Sequence, residues 1–245
     1  MLKRRIAQFR KALILARQPV WRRGLPLGIG AAIEHRDLLS ILSPRTVVDI
    51  GANVGQFTLL SRGLFPQARI FAFEPLARPA AKYRRLFDGD TQVRLFQAAV
   101  APSAGRQQMH VSAHDDSSSL LPISENQVAF APGTQEAGRE EVVLAPLDQF
   151  VKVDDIVGPA LLKLDVQGFE LEALKGCEYL LPRFDHIYAE VSFFPLYEDQ
   201  VLAAELIEWL AARSFHVQGA GNPSYGGNRR IVQLDILFRR EGVSQ

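Results

Sequence analysis

Cysteine is almost missing from this chain: Cys177 is the one thiol among 245 residues. That excludes an internal disulfide and a cysteine-clustered zinc site, and it suits a reducing cytoplasm, where the protein is expected. Long apolar runs are missing as well, since none approaches the roughly 20 residues that a membrane span requires. The N-terminus has the charges of an export signal, but its apolar core, Ala12 to Ala16, is short and is stopped by Arg17. Acids are absent from residues 1–33, which carry eight basic side chains. The remainder holds 20 basic and 27 acidic residues, a balance of −7. A mildly acidic body argues against a broad nucleic-acid surface, and no nucleic-acid partner is expected.

What is present suits one α/β domain with a full core and an extra segment. Residues 1–33 read as a basic arm and 34–245 as the domain. Within the arm, Ile6, Phe9, Leu13 and Ala16 recur at helical steps between basic residues. Such a stripe over residues 1–23 attaches to an anionic membrane surface or a partner, or packs on its own domain or a second subunit. Oligomeric state stays open. Pro19 to Gly30 reads as a linker, and Ala31 to Leu42 as a helix that covers a sheet edge or lids a ligand.

The chain is organised around Thr46-Val-Val-Asp-Ile-Gly-Ala-Asn-Val-Gly-Gln-Phe57. A β-branched run, the composition of a buried strand, turns through Gly51, Asn53 and Gly55 into a helix beginning near Phe57. Such a turn lets a ligand approach backbone amides at a helix N-terminus. The dinucleotide fingerprint would need glycines at 51, 53 and 56, where Asn53 and Gln56 stand. Asp49 would repel a pyrophosphate and suits a ligand with a positive end. A strand ending Asp-x-Gly-x-Asn-x-Gly resembles the first motif of S-adenosylmethionine (SAM) methyltransferases.

Arg69 to Pro75 reads as a second strand carrying Glu74, 23 residues beyond Gly51. That is near the spacing expected of an acid that holds ribose hydroxyls. Val93 to Val100 is the third strand, whose small Ala98-Ala99 end forms a slot for a flat adenine ring. Residues 101–140 are irregular and give the candidate substrate lid, with His114 and Ser119 on it. His110 and His114 are four apart, but their Ser-rich surroundings do not suit the helix a shared metal would need, so no metal is expected. Strands ending in Asp165 and carrying Glu190 follow, then a helix over 201–213. Strands 215–218 and 231–238, joined by the Gly-rich loop 222–228, pair antiparallel. The whole reads as a Rossmann-like, mostly parallel doubly wound sheet with one antiparallel strand near the C-terminus.

Asp49, Glu74, Asp165 and Glu190 then share the carboxyl rim of the sheet, where ligands of such folds lie. Val48 to Phe57, Ala72 to Pro75, Leu162-Lys-Leu-Asp-Val-Gln-Gly-Phe-Glu-Leu171, Leu174-Lys-Gly176 and Tyr188 to Val191 resemble the FkbM family of SAM-dependent methyltransferases. The resemblance implies a class I methyltransferase fold and methylation of a hydroxyl on a sugar, glycolipid or secondary metabolite. By position, Gly51, Asn53, Gly55 and Phe57 would form the SAM loop, Glu74 would hold the ribose, and Ala98 and Ala99 the adenine. Asp49 would bind the methionine end. Asp165 would bind or deprotonate the acceptor, with His114 as the second candidate and Ser119, Gln167 and Glu190 as acceptor contacts. The family often has glutamate where this chain has Gln167. Lys163 is expected to point to the other side of its strand. A non-catalytic scaffold with the same fold is the alternative, and Tyr197, Tyr225 and Asn228 are further candidates for the acceptor pocket.

Overall fold

The structure is a computed structural model that describes residues 18–114, 116–227 and 229–242. The expected amphipathic stripe from Ile6 to Ala16 lies outside the described residues, as do Asp115 and Asn228. In chain order the described strands are β1 (Thr46–Ile50), β2 (Arg69–Phe73), β3 (Val93–Phe96), β4 (Ala99–Val100) and β5 (Gly105–Ser112). They continue as β6 (Glu136–Ala145), β7 (Ala160–Leu164), β8 (His186–Ser192), β9 (Phe215–Tyr225) and β10 (Ile231–Arg240). The helices are α1 (Pro19–Arg22), α2 (Arg36–Leu39), α3 (Gln56–Leu64), α4 (Ala77–Leu86), α5 (Glu125–Phe130), α6 (Glu170–Gly176) and α7 (Ala203–Ala211).

Seven strands form one sheet in the order β3-β2-β1-β7-β8-β10-β9. β10 alone runs antiparallel, to both β8 and β9, and the rest pair parallel. The fold is therefore the expected Rossmann-like class I methyltransferase plan. Apolar residues lie on both faces of the central strands, as a doubly covered sheet requires. Val48, Ile50, Leu162 and Leu164 face one core, while Val47 and Leu161 face the other. The chain order reverses between β1 and β7, which are neighbours in register. That switch point is where a ligand crevice opens in such sheets.

Several expected elements are replaced. The stretch from Pro19 to Gly30 is packed rather than a linker: Trp21 is 2% exposed and wedges against Gly63, where a Cβ would stand 2.2 Å from its indole nitrogen. Ile29 joins the same core. The helix expected over 31–42 is a 3-10 turn, Ile33–His35, followed by the short α2. The Ala32 amide donates to the Gln56 carbonyl (3.1 Å), which docks the segment on the start of α3 and keeps it from coiling continuously. The third strand divides, with β3 in the large sheet and β4 in a smaller one of order β4-β6-β5. The segment expected as loop from Pro122 to Gly138 contains α5, capped by Ser124 accepting from the Gln127 amide. Ser-x-x-Gln is a recognisable helix-start signal that glycine and proline around it obscure. Residues 222–225 of the expected loop extend β9, accommodated by irregular register against β10.

Candidate active site

A cavity of about 510 Å³ opens beyond the carboxyl ends of β1, β2, β7 and β8. Its first half is built by the turn after β1. Gly51 has φ +79°, and a Cβ there would stand 1.8 Å from the Asp165 carbonyl oxygen, so no side chain fits. The Gly51 and Ala52 amides donate to the Phe73 carbonyl (3.0 and 2.9 Å), which locks the turn to β2. Glu74, at the end of β2, accepts from the Asn53 amide (2.9 Å) and the Leu76 amide (2.8 Å), one on each carboxyl oxygen. Burial pushes its pKa up to about 7, against the pull of those amides and of the Lys163 charge. Gly51, Asn53, Phe57, Glu74 and Ala99 all line the cavity, as expected.

Gly55, Ala98 and Asp49 do not line it. At Gly55 (φ +96°) the space for a Cβ is filled by the Phe87 and Tyr83 rings, so this glycine serves helix packing. Ala98 is buried where the chain passes from one sheet to the other. Asp49 is wholly buried, accepts from Thr58 Oγ1 (2.7 Å) and pairs with Lys163 Nζ at 3.1 Å. It holds a lysine rather than the cavity's ligand. Lys163, expected on the far side, lines the cavity and also donates to the Gly51 carbonyl (3.0 Å). The reason is the two-residue alternation of a strand, which places Lys163 on the side of Asp165 and level with Asp49. Burial works against the lysine's charge, but Asp49 and Asp165 outweigh it and raise its pKa.

The second half of the cavity is assembled from side chains of distant segments. Asp165, its side chain 42% exposed, stands 3.8 Å from Lys163 Nζ. Gln167, at φ +55°, donates its side-chain amide to Asp165 (2.7 Å) and to Glu190 (3.3 Å), while its Oε1 accepts from the Tyr197 hydroxyl (2.8 Å). Gln233 on β10 donates to the same Glu190 oxygen (2.9 Å). Burial, then the charges of Asp165 and Asp235, raise the Glu190 pKa. Glu170, which the sequence reading passes over, caps the turn after β7 by accepting from the Val166 and Gly168 amides (3.1 and 3.2 Å).

The lid is as expected in place but not in every residue. His114, Asp116, Ser117, Leu120 and Phe130 line the cavity. Ser119 does not, because its hydroxyl turns away to donate to the Gln167 carbonyl (2.7 Å) and ties the lid to the β7–α6 turn. Tyr197 is another tie, buried and donating to Gln167 and to the Ser117 carbonyl (3.2 Å). Tyr225 is exposed and apart from the cavity. His114 sits at the rim, its side chain 66% exposed and 3.7 Å from Asp116. His110 is buried and paired with Glu136 (2.6 Å). Among the described residues, no three His, Cys, Asp or Glu gather as a metal site. None of their helices is long and apolar enough to cross a membrane.

A doubly wound sheet of this order, with a glycine turn after β1 and an acid closing β2, defines the class I methyltransferase architecture. The family model of the methyltransferase FkbM domain matches residues 49–217, and the chain belongs to that family. Among curated relatives, the 2-O-methyltransferase NoeI of Sinorhizobium fredii is 29% identical over 213 residues, 84% of each chain. The methyltransferase sdnD of Sordaria araneosa is 29% identical over 169 residues, 58% of this chain and 64% of its own. Among solved structures, a putative rRNA methylase from Clostridium thermocellum superposes with TM-score 0.48 at 13% identity, over 86% of this chain and 98% of that one.

The chain is a SAM-dependent methyltransferase, and its cavity fits the cofactor. Gly51 lets the turn lie against the Asp165 backbone at the edge of the crevice, and Glu74 keeps lone pairs on both oxygens beside its two amide bonds. Ala52 and Ala99 add small apolar side chains to the cavity lining.

Proposed function

We propose that the chain methylates a hydroxyl oxygen of a sugar, glycolipid or secondary metabolite. The observation that carries this is Asp165: a half-exposed carboxylate in the same cavity as Glu74, held by Gln167 and Lys163. An ionised carboxylate only accepts, so it suits a partner that brings a donor, as a hydroxyl does. The oxygen specificity named for the relative NoeI supports the same choice of atom.

In this reading Glu74 takes the ribose hydroxyls, and the rest of the cofactor lies along the turn at Gly51, Ala52 and Asn53, which borders the cavity. Lys163, fixed by Asp49, sets the charge between the two halves. SAM supplies an electrophilic methyl group on a sulfonium. The protein aligns the acceptor oxygen with it, and alignment supplies most of the acceleration. Asp165 binds the acceptor hydroxyl, Gln167 and Glu190 hold neighbouring polar groups, and His114 belongs to the closing rim.

Calorimetric titration with SAM and its demethylated product, on the wild type and Glu74→Ala, tests the cofactor site. Tritium-methyl SAM offered with methyl glycosides of neutral hexoses tests the acceptor class. Binding lost in Glu74→Ala and label recovered in a glycoside ether is the expected result. A folded wild type that binds neither ligand would overturn the reading in favour of a scaffold.

A further inference from the structure

We infer that His35, oriented by Asp235, takes the proton from the acceptor hydroxyl. This rests on the proposed methylation of oxygen but adds to it a residue that lies before the matched family segment. The His35 ring borders the cavity beside Lys163, Asp165 and Glu190. Its plane is fixed by edge-on packing against Phe57 (centroids 5.9 Å apart) and Tyr188 (5.6 Å).

All of its polar contacts are at one nitrogen. Nδ1 is 3.0 Å from Asp235 Oδ2, 2.9 Å from the Tyr188 hydroxyl and 3.1 Å from Asn222 Nδ2. Asp235 also accepts from Asn222 Nδ2 at 2.7 Å. The Tyr188 hydroxyl is bonded to Asp235 as well, and with its proton on that carboxylate its oxygen accepts from Nδ1, so the ring proton belongs on Nδ1 and the lone pair on Nε2. Among the described residues Nε2 has no hydrogen-bonding partner. A buried carboxylate aimed at one nitrogen of an imidazole, with the other left for the cavity, is the arrangement of an oriented base.

The step balances without a further reactant. The acceptor oxygen forms its bond to the methyl carbon while the S–CH3 bond breaks and leaves its electron pair on sulfur. The hydroxyl proton passes to Nε2, and Asp235 stabilises the imidazolium until water removes the proton. Asp165 and Glu190 hold the acceptor, and Asp235 is a positioning residue.

Two variants and a spectrum test this. His35→Asn keeps a donor toward Asp235 and removes Nε2; Asp235→Asn keeps the shape and removes the carboxylate that fixes the tautomer. Both are expected to lower kcat for glycoside methylation by about 10²-fold or more, with SAM affinity by calorimetry unchanged. Nitrogen NMR of the ligand-free protein should show His35 protonated at Nδ1 alone, and Asp235→Asn should shift the proton toward Nε2. A His35 proton on Nε2 in the wild type, or undiminished kcat in His35→Asn, overturns the assignment. Loss of SAM binding by the wild type would instead strike the methyltransferase reading, so the two failures are distinguishable.

Discussion

The two halves of the cavity are made by different means. The half proposed for the cofactor is one contiguous turn plus the end of the neighbouring strand, with its backbone amides bonded to Phe73 and Glu74 and its glycine packed on the Asp165 carbonyl. The acceptor half brings together side chains from residues 35, 114, 165, 190 and 233. Its polar groups hold one another: Gln167 bridges Asp165 and Glu190, and Gln233 secures Glu190 again. A backbone-built site tolerates little sequence change, because the chain path itself is the ligand contact. A site built from side chains on separate elements can be respecified one residue at a time. One fold can thus keep its methyl donor while its acceptors differ.

Lys163 joins the halves, and removing it is the most damaging way to break the comparison. Lys163→Met leaves Asp49 buried without its counter-charge, at a cost of about 3–5 kcal/mol in urea unfolding. Adding Asp49→Asn should restore most of that, since the orphaned charge goes with it. A single variant as stable as the wild type would show that the pair does not carry the junction. Next in size is Asp165→Asn, expected to lower kcat/KM for the acceptor by about ten- to a hundredfold with SAM affinity intact. If SAM affinity collapses instead, Asp165 belongs to the cofactor half and the division is drawn in the wrong place.

Glu170 sharpens the contrast from behind the site. Burial holds its pKa up at about 7 against an ordinary 4.5, so the folded protein binds that proton more tightly than the unfolded chain. The stabilisation is present below pH 4.5 and is lost as pH rises through about 7. Glu170→Gln keeps the oxygen that accepts both amides and removes the ionisation. It should be more stable than the wild type by about 3 kcal/mol at pH 8, and nearly equal at pH 4. Equal loss at both pH values would mean that the charge itself holds the β7–α6 turn.

The same division decides what the sequence discloses. β1 and its turn are legible because a β-branched run, glycines and Asp49 fall within a dozen residues, and Glu74 follows by spacing. Lys163 was equally open to reading, since residues 163 and 165 share a strand face. Ser119 on the lid and Tyr197 after β8 are polar residues whose hydroxyls turn inward to carbonyls, a direction set by tertiary packing. His35 and Asp235 lie 200 residues apart and meet only because β10 inserts between β8 and β9. Trp21 looks like part of a linker because its partner, Gly63, carries no side chain to advertise the contact.

Glu74 gives the smallest effect and the cleanest measurement of the cofactor half alone. With a pKa of about 7, its carboxyl is substantially protonated just below neutrality in the ligand-free protein. Ribose hydroxyls donate most strongly to the ionised form, so binding should draw a proton off Glu74 and release it. SAM affinity is then expected to hold steady above pH 8 and to weaken by up to about tenfold per pH unit below 7. Calorimetry in two buffers of different ionisation enthalpy should register proton release near pH 6.5 and none at pH 8.5. Glu74→Gln should bind more weakly at pH 8 and lose the pH dependence, which separates this carboxyl from Asp165 and Glu190 across the cavity. Should the slope persist in Glu74→Gln, the titrating group lies in the acceptor half, and the two halves are coupled through Lys163 more tightly than their construction indicates.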